Sequence, residues 1–293
     1  MIRATAPAKI NLTLRVGAVQ DDGYHPLDSI VVFADRGDAL TLAPSAEFSL
    51  SLEGPEATGI PTGEGNLVIR AVRSLAMAAG REAEGAITLT KNIPAGAGLG
   101  GGSADAAAAL RAYNQFWELD WPLDMLAGIG AQIGSDIPAC LWSQPLRMTG
   151  RGERIRLIDD WPSFHAILVY PRKALATGSV FKQFDALPTG TGKAYIGSAD
   201  TGRTAVMSAL SVATNDLTPA ALAVEPVIGE VLDLLTRTEA AELVRMSGSG
   251  ASCVALYPSE LARDAAARIV QAAQPDWLVL PVQLAGSSAS IAR

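Results

Sequence analysis

A run of glycines in the middle of the chain constrains the fold more than any other sequence feature. The segment from Lys91 to Asp105 reads KNIPAGAGLGGGSAD, and it lies between a predicted strand at 86–90 and an alanine-rich predicted helix at 103–117. Because glycine has no side chain, successive main-chain N–H groups can point into one concave surface. The helix that follows adds unpaired N–H groups and the positive end of its dipole. The pattern predicts a loop that binds an anion such as phosphate.

Three interpretations of this loop are compatible with the residues alone. The first is a flexible linker, although linkers are seldom flanked by a strand and a helix. The second is a dinucleotide-binding turn, because Gly96, Gly98 and Gly101 fit the GxGxxG pattern; however, residues 91–95 separate the strand from these glycines, where a dinucleotide turn is tight. The third is a nucleoside triphosphate cradle. It differs from a Walker loop, since no Gly-Lys pair in the chain is followed by Ser or Thr.

Composition excludes several classes of protein. Of the 293 residues, 49% are hydrophobic, which suffices for a packed core. Lys and Arg total 23 against 30 Asp and Glu, and the net charge of −7 argues against nucleic-acid binding as the main task. The sequence has no apolar run of the roughly 18 residues that span a bilayer, and its start lacks the apolar core of a signal peptide. We therefore expect a cytoplasmic protein without a membrane or nucleic-acid partner.

The cysteines and histidines give no support for a metal site. Cys140 and Cys253 are far apart in sequence, and neither lies in a CxxC pair. The chain has only two histidines, His25 and His165. These residues predict no disulfide framework, no zinc site and no tightly bound metal.

The order of the predicted elements indicates an α+β fold. In the first half, strands are predicted at 10–16, 30–34, 39–43, 48–52 and 86–90, and helices at 66–79, 103–117 and 123–133. In the second half, strands are predicted at 165–170, 243–246, 253–257 and 277–283, and helices at 203–213, 226–235 and 260–273. Strands and helices do not alternate regularly, which is typical of α+β proteins. We predict two domains, at residues 1–155 and 156–293.

Five segments resemble motifs of the GHMP kinases, a family that includes galactokinase, homoserine kinase and mevalonate kinase. Residues 94–103 resemble the phosphate loop of the family, 7–12 (PAKINL) the N-terminal motif and 246–252 (MSGSGAS) the C-terminal glycine motif. Residues 23–27 (GYHPL) and 133–138 (IGSDIP) are similar to the member that phosphorylates a cytidine diphosphate ester of methylerythritol, in the non-mevalonate isoprenoid pathway. The motifs occur in the order typical of the family.

The resemblance implies a two-domain kinase with an S5 domain 2-like N-terminal domain, which binds the nucleotide, and a ferredoxin-like layer in the C-terminal domain. It implies ATP with Mg²⁺ as the co-substrate, a small-molecule alcohol as acceptor and no obligate protein partner. The implied ATP contacts are Pro94, Ala95, Gly96, Ala97, Gly98, Leu99, Gly100, Gly101, Gly102, Ser103, Ala104 and Asn66. Relatives usually carry a second serine at the position of Ala104, so one phosphate or Mg²⁺ contact is missing here or is made by water.

Lys9 and Asp136 are the candidate catalytic residues. From the sequence alone, Lys9 suits a solvated strand end and Asp136 suits a turn or a helix cap. The resemblance implies that Asp136 is the general base and that Lys9 neutralises charge near the acceptor hydroxyl and steadies Asp136. Phosphoryl transfer requires mainly positioning and charge neutralisation, which a Lys–Asp pair supplies without a metal-bound base.

The resemblance also implies an acceptor site. Cytosine would stack on Tyr24, with His25 reading the edge of the base and Phe181 covering the other face. On residues alone, Phe181 is equally suited to a core and Asn66 to a helix cap. The remaining implied acceptor contacts are Asn11, Thr177, Gly248 and Ser249.

Other functions stay open at this point. One is a GHMP kinase for another alcohol, of the homoserine or mevalonate type. A second is a non-catalytic nucleotide-binding sensor, which the presence of both Lys9 and Asp136 disfavours. A third is a dinucleotide-dependent oxidoreductase, which the position of the glycine run disfavours.

Overall fold

The computed structural model describes residues 1–21, 23–187 and 202–284, together with the main chain of 291–292. The first part contains β1 (Ile2–Asn11), β2 (Arg15–Val16), β3 (Leu27–Ala43), β4 (Ser49–Glu53), α1 (Leu67–Ala78), β5 (Ala86–Thr90), α2 (Gly101–Phe116), α3 (Leu123–Ala131), α4 (Ile137–Trp142), β6 (Leu146–Gly150) and β7 (Arg154–Leu157). The second part contains β8 (Phe164–Tyr170), α5 (Thr177–Ala186), α6 (Arg203–Val212), α7 (Thr218–Val224), α8 (Val227–Thr236), β9 (Leu243–Met246), β10 (Cys253–Tyr257), α9 (Glu260–Ala273), β11 (Leu278–Leu284) and β12 (Ile291–Ala292). None of the helices within these described ranges has the length and apolar character needed to cross a membrane.

The long strand β3 organises the first layer. It pairs antiparallel with β1, β5 and β6, and β5 pairs in parallel with β4. The two strands predicted at 30–34 and 39–43 are therefore one continuous strand. Its register with β1 shifts between Pro7 and Lys9. Gly37 lies opposite this bulge, where an added Cβ would be 2.1 Å from the carbonyl oxygen of Ala6. The bulge precedes Lys9 and redirects the strand at that point.

Helices α1 and α2 cover this layer. Asn66 caps the start of α1, and Gly80 follows its end in the left-handed region at φ 64°. Helix α2 is rich in alanine, and the side chains of residues 104–113 are buried. Small side chains allow α2 to pack closely on β1 and α1, because little volume separates the backbones. The glycine loop thus leads into a helix that is fixed in the core.

The second layer has the predicted ferredoxin-like arrangement. Its strands lie in the order β11-β8-β10-β9, all antiparallel, and helices connect β8 to β9 and β10 to β11. This is the βαββαβ pattern of that fold. The two layers are joined. Strand β11 also pairs with β3, and the apolar side chains of residues 8, 10, 12 and 14 pack into the core of the second layer. The predicted division at residue 155 falls within β7, which pairs with β6, and it stays a prediction.

Candidate active site

The glycine loop follows β5 and alternates anchored and open positions. Ala97 and Leu99 are each only 1% exposed and lie in the apolar core. The glycines between and beside them, Gly96, Gly98 and Gly100, have φ values of 71°, 78° and 64°. Only glycine adopts this region without strain. The alternation fixes the loop at every second residue and leaves the backbone between these points uncovered.

The glycine-rich part of the loop, from Gly96 to Ser103, presents main-chain N–H groups that bind none of the described residues. Within the ranges that the structure describes, no N–H group from Gly96 to Ser103 donates a hydrogen bond. The last three of these N–H groups belong to the first turn of α2, where helix donors have no intrahelical acceptor. Consecutive unpaired donors beside a helix N-terminus attract a multiply charged anion. The loop therefore has the chemistry of a phosphate site.

Lys9 and Asp136 form an ion pair beside this loop. Lys9 Nζ lies 2.7 Å from Asp136 Oδ1, and the side chains are 5% and 35% exposed. Asp136 directly precedes α4, but its side chain makes no capping hydrogen bond. The main-chain N–H of Lys9 donates to the carbonyl oxygen of Leu99 at 2.9 Å. The partly open carboxylate is therefore available to a substrate, next to a buried cation.

The N-terminal motif, the glycine loop and the C-terminal glycine motif contact one another. The N–H of Asn11 donates to Ser247 Oγ at 3.1 Å, which joins the N-terminal motif to the C-terminal glycine motif. The N–H of Ser252 donates to the carbonyl oxygen of Ala97 at 3.1 Å, which joins that motif to the glycine loop. These contacts connect residues far apart in sequence, so the site formed by the three motifs exists only in the complete fold.

Two predicted site asparagines have structural partners. Asn11 is buried, and its Nδ2 donates to Ser29 Oγ at 2.7 Å. Asn66 accepts from the N–H of Val68 at 2.9 Å and donates to the carbonyl oxygen of Pro61 at 2.7 Å. The side chain of Asn66 is thus used as the cap of α1, and its contact with the nucleotide stays a prediction.

The predicted base-reading residues are partly assembled. Tyr24 is 57% exposed, and the guanidinium carbon of Arg151 lies 4.5 Å from the centre of its ring. His25 Nδ1 lies 2.8 Å from the carbonyl oxygen of Gly17, to which it donates. The ring of His25 lies 5.2 Å from that of Phe181, and its Nε2 lies 3.2 Å from Asp185 Oδ1. The structure therefore brings His25 and Phe181 together, whereas Tyr24, the residue before His25, is exposed.

Thr177 and Ser249 connect this region to the glycine motifs. Their hydroxyl oxygens lie 2.9 Å apart, which joins the first residue of α5 to the C-terminal glycine motif. Gly248 lies against Asn11, since an added Cβ would be 3.3 Å from Asn11 Oδ1. These two contacts connect α5, the C-terminal glycine motif and the end of β1, the strand that carries Lys9.

Comparison with known proteins identifies the family. The family model described as "GHMP kinases N terminal domain" matches residues 66–144, and the model described as "GHMP kinases C terminal" matches residues 200–276. A 4-diphosphocytidyl-2-C-methyl-D-erythritol kinase of Paramagnetospirillum magneticum is 46% identical over 281 residues, which cover 95% of this chain and 97% of that protein. The chain belongs to the GHMP kinase family.

Solved structures agree with this assignment. A 4-(cytidine 5'-diphospho)-2C-methyl-D-erythritol kinase has a TM-score of 0.79 and 29% identity, and the match covers 98% of this chain and 100% of that one. A homoserine kinase from Cytophaga hutchinsonii has a TM-score of 0.70 at 16% identity, covering 100% of this chain and 97% of that one. The second likeness supports the fold alone. Both agree with the predicted two-domain architecture of a GHMP kinase.

This GHMP kinase contains a buried charge cluster that sequence reasoning missed. Lys91 Nζ contacts Asp38 Oδ2, and it lies 2.6 Å from Asp105 Oδ2; each side chain is at most 5% exposed. Asp38 Oδ1 also accepts from the N–H groups of Asn92 and Ile93, at 2.5 and 2.8 Å. The cluster joins the start of the glycine loop to β3 and to the first turns of α2. In the sequence, this cluster is indicated by the opposite charges of Lys91 and Asp105, which flank the loop.

Two carboxylates share one ammonium group in this cluster, and the pKa values of Asp105 and Lys91 are shifted. Burial and the neighbouring Asp38 charge raise the pKa of Asp105 to about 8, against the attraction of Lys91. Burial lowers the pKa of Lys91, but the charges of Asp105 and Asp38 outweigh burial and raise it overall. Asp105 Oδ1 has no hydrogen-bond partner among the described residues.

Asp105→Asn is expected to flatten the pH dependence of stability. Folded Asp105 keeps a proton that the unfolded chain, with an ordinary Asp pKa of about 3.9, releases. The free energy of unfolding of the wild type should therefore fall from about pH 4 to about pH 8, by up to roughly 1.4 kcal/mol per pH unit for one proton. Urea unfolding between pH 5 and 8 measures this slope. The exposed Asp233→Asn should retain the wild-type slope, and an equal slope in Asp105→Asn would contradict the assignment.

Asn215 is a second residue that the sequence did not reveal. It is buried, and its Nδ2 donates to the carbonyl oxygens of Met246 and Gly248, at 2.9 and 2.7 Å. Its Oδ1 accepts from the N–H of Leu217 at 3.0 Å. Asn215 therefore holds the C-terminal glycine motif in place. A single amide in a loop carries no recognisable pattern, so only the tertiary structure reveals this role.

Proposed function

We propose that this GHMP kinase transfers the γ-phosphoryl group of ATP to the 2-hydroxyl group of 4-diphosphocytidyl-2-C-methyl-D-erythritol, a step in isoprenoid precursor synthesis. The relatives that carry this name match nearly the full length of the chain. The observation that carries the mechanism is the Lys9–Asp136 pair, which lies beside a loop of unpaired N–H groups. A candidate base next to a candidate phosphate site supports this proposal.

ATP would bind with its phosphates along the loop from Gly96 to Ser103. Its unpaired N–H groups are donors for phosphate oxygens, and the N-terminus of α2 favours negative charge. Leu67, next to Asn66, borders the loop, since its Cδ1 would lie 3.5 Å from a Cβ added to Gly102. Mg²⁺ enters as part of the MgATP substrate and neutralises phosphate charge. The hydroxyl of Ser103 is the candidate side-chain contact in this turn.

Asp136 would accept the proton of the acceptor hydroxyl as the phosphoryl group is transferred. Its carboxylate is one-third exposed and is oriented by Lys9 rather than by a helix cap. The positive charge of Lys9 would offset the negative charge that develops on the acceptor oxygen. Positioning and charge neutralisation account for most of the catalysis in phosphoryl transfer.

The cytosine base would bind at Tyr24, His25 and Phe181. Stacking on an aromatic side chain is worth about 1–3 kcal/mol per base. His25 Nδ1 donates to the carbonyl oxygen of Gly17, which orients the ring so that Nε2 is the atom that would meet the edge of the base. Asp185, which faces Nε2, is about half exposed and can turn towards solvent.

The setting of the reaction is also part of the proposal. We place it in the cytoplasm, where ATP is available, with Mg²⁺ as the accompanying ion. The acidic net charge of −7 agrees with small-molecule substrates rather than nucleic acid. The proposal requires neither a membrane nor an obligate protein partner.

Phosphoryl transfer to three acceptors tests the proposed function. With ATP, we expect the cytidine diphosphate ester of methylerythritol to be phosphorylated, and mevalonate and homoserine to react at least about 10³-fold more slowly, because only the first offers a base to the aromatic site. Tyr24→Ala should raise the KM for the acceptor about tenfold with little change in the KM for ATP. A preference for mevalonate or homoserine, or no ATP consumption with any acceptor, would refute the proposal.

A further inference from the structure

Arg111 is a buried cation that lies between the elements carrying the candidate catalytic groups. It belongs to α2 and is 6% exposed. Among the described residues, no carboxylate lies within ion-pair distance of its guanidinium group, which donates instead to main-chain carbonyl oxygens. Burial lowers the pKa of Arg111 to about 10, and the neighbouring Cys140 offsets only part of this effect.

The carbonyl groups that Arg111 contacts belong to two different elements. Nη1 donates to Cys140 at 2.8 Å and to Leu141 at 3.1 Å, both in the last turn of α4. Nη2 donates to Thr5 at 2.8 Å, in β1. The planar guanidinium fork fixes the directions of these bonds relative to one another. Arg111 therefore sets α4, β1 and its own helix α2 in one arrangement.

Each of these elements positions one part of the candidate site. Asp136 directly precedes α4, Lys9 lies near the end of β1, and the glycine loop leads into α2. Helix α4 has six residues, too few to be stable in isolation, so its place depends on the packing of its buried side chains and on the hydrogen bonds at its ends. The last carbonyl groups of a helix lack intrahelical partners, and here an arginine supplies donors for two of them.

Stability alone is a poor explanation for a charge at this place. A buried ionic group is often replaced by an apolar side chain of similar volume with no loss of stability. The specific property of arginine is that it reaches carbonyl groups of two elements with fixed geometry. An error of about 1 Å in the placement of a catalytic group can lower the rate about 10²-fold.

We infer that Arg111 is a positioning residue for phosphoryl transfer, which holds α4, and through it Asp136, in register with Lys9 and the glycine loop. The inference rests on the proposed role of Asp136 as the general base. It assigns to Arg111 an effect on kcat without contact with either substrate.

A double-mutant cycle tests this inference. Arg111→Met should lower kcat about 10- to 100-fold and change the KM of either substrate by less than about threefold, because the binding surfaces stay intact. In the Asp136→Asn background, Arg111→Met should change the residual rate less than about threefold, because Arg111 acts through Asp136. Arg263→Met is the matched control: Arg263 is a 9% exposed arginine of α9 that contacts Glu260 and Asp264, so its loss should lower stability and leave kcat unchanged.

A second variant guards against a loss of folding. Arg111→Lys keeps the charge and N–H donors but loses the planar fork, so it should still lower kcat. If Arg111→Met does not fold, Arg111→Lys takes its place in the cycle. An unchanged kcat in the folded variant, or an equal loss of rate in both backgrounds, would overturn the inference. If Asp136→Asn keeps wild-type turnover, the proposed base itself is wrong, whatever the Arg111 variants do.

Discussion

Asp136→Asn is expected to lower kcat by about 10²- to 10⁴-fold, the contribution typical of a general base. Asparagine keeps the shape of aspartate, and its amide oxygen can still accept the hydrogen bond from Lys9 that the wild type makes at 2.7 Å. It cannot remove a proton from the acceptor hydroxyl. Steady-state kinetics with both substrates measure the loss, and titration calorimetry with a non-hydrolysable ATP analogue measures nucleotide binding.

Nucleotide affinity should change by less than about threefold in this variant, because the unpaired N–H groups from Gly96 to Ser103 do not involve Asp136. Asp124→Asn is a suitable control, because this substitution removes the same charge from an exposed position of α3, the helix that precedes α4. Turnover of Asp136→Asn within about twofold of the control would remove Asp136 from the role of base. A large loss of ATP affinity would instead show that the carboxylate acts on the bound nucleotide.

Much of the fold could be predicted from periodicity because apolar side chains recur on one face of each element. The predictions for β5, β9, β10 and α9 have the same bounds in the structure. Helix α4 was not predicted, since it has six residues and begins with Ile137-Pro138, a pair that is equally suited to a turn. The break predicted within β3 was wrong, because Gly37 continues the strand at a close approach to β1.

The candidate site could be predicted only where its chemistry is written in consecutive residues. The glycine run signals a phosphate loop because its residues are neighbours in sequence, and Lys9 and Asp136 lie in short motifs. The supporting contacts of Arg111 and Asn215 are tertiary. Their side chains bind main-chain carbonyl groups, which every residue carries, so no residue type in the sequence identifies the partner.

The structure holds the glycine loop from both ends. At its start, Asp38 accepts from two N–H groups of residues 92–93 and contacts Lys91, which also binds Asp105 of α2. Along its middle, the carbonyl oxygens of residues 97 and 99 accept from Ser252 and Lys9. The contacts at residues 97 and 99 use loop carbonyl groups, and among the described residues the N–H groups from Gly96 to Ser103 stay unpaired. Carbonyls turned inward and N–H groups left open are the arrangement that an anion requires.

Gly98→Ala should disrupt the contact between this loop and the C-terminal glycine motif. Gly98 has φ 78°, and an added Cβ would lie 2.2 Å from the carbonyl oxygen of Gly250. Two backbone segments cannot make room as a flexible side chain would, so the loop must move away. We expect the free energy of unfolding to fall by about 2–5 kcal/mol, from left-handed strain and overpacking together, and the KM for ATP to rise at least about tenfold.

Gly96→Ala separates backbone strain from the close approach. Gly96 has nearly the same φ, 71°, but among the described residues a Cβ there would meet only the Cβ of Ala174, at 3.6 Å, which is ordinary contact. This variant should lose about 1–2 kcal/mol of stability and keep the KM for ATP within about threefold. Urea unfolding of both variants measures the loss of stability, and steady-state kinetics measure the KM for ATP. If Gly98→Ala and Gly96→Ala lose equal stability and equal ATP affinity, the contact with Gly250 contributes nothing to the nucleotide site. A difference as large as expected shows that the two glycine motifs form one site because their backbones touch.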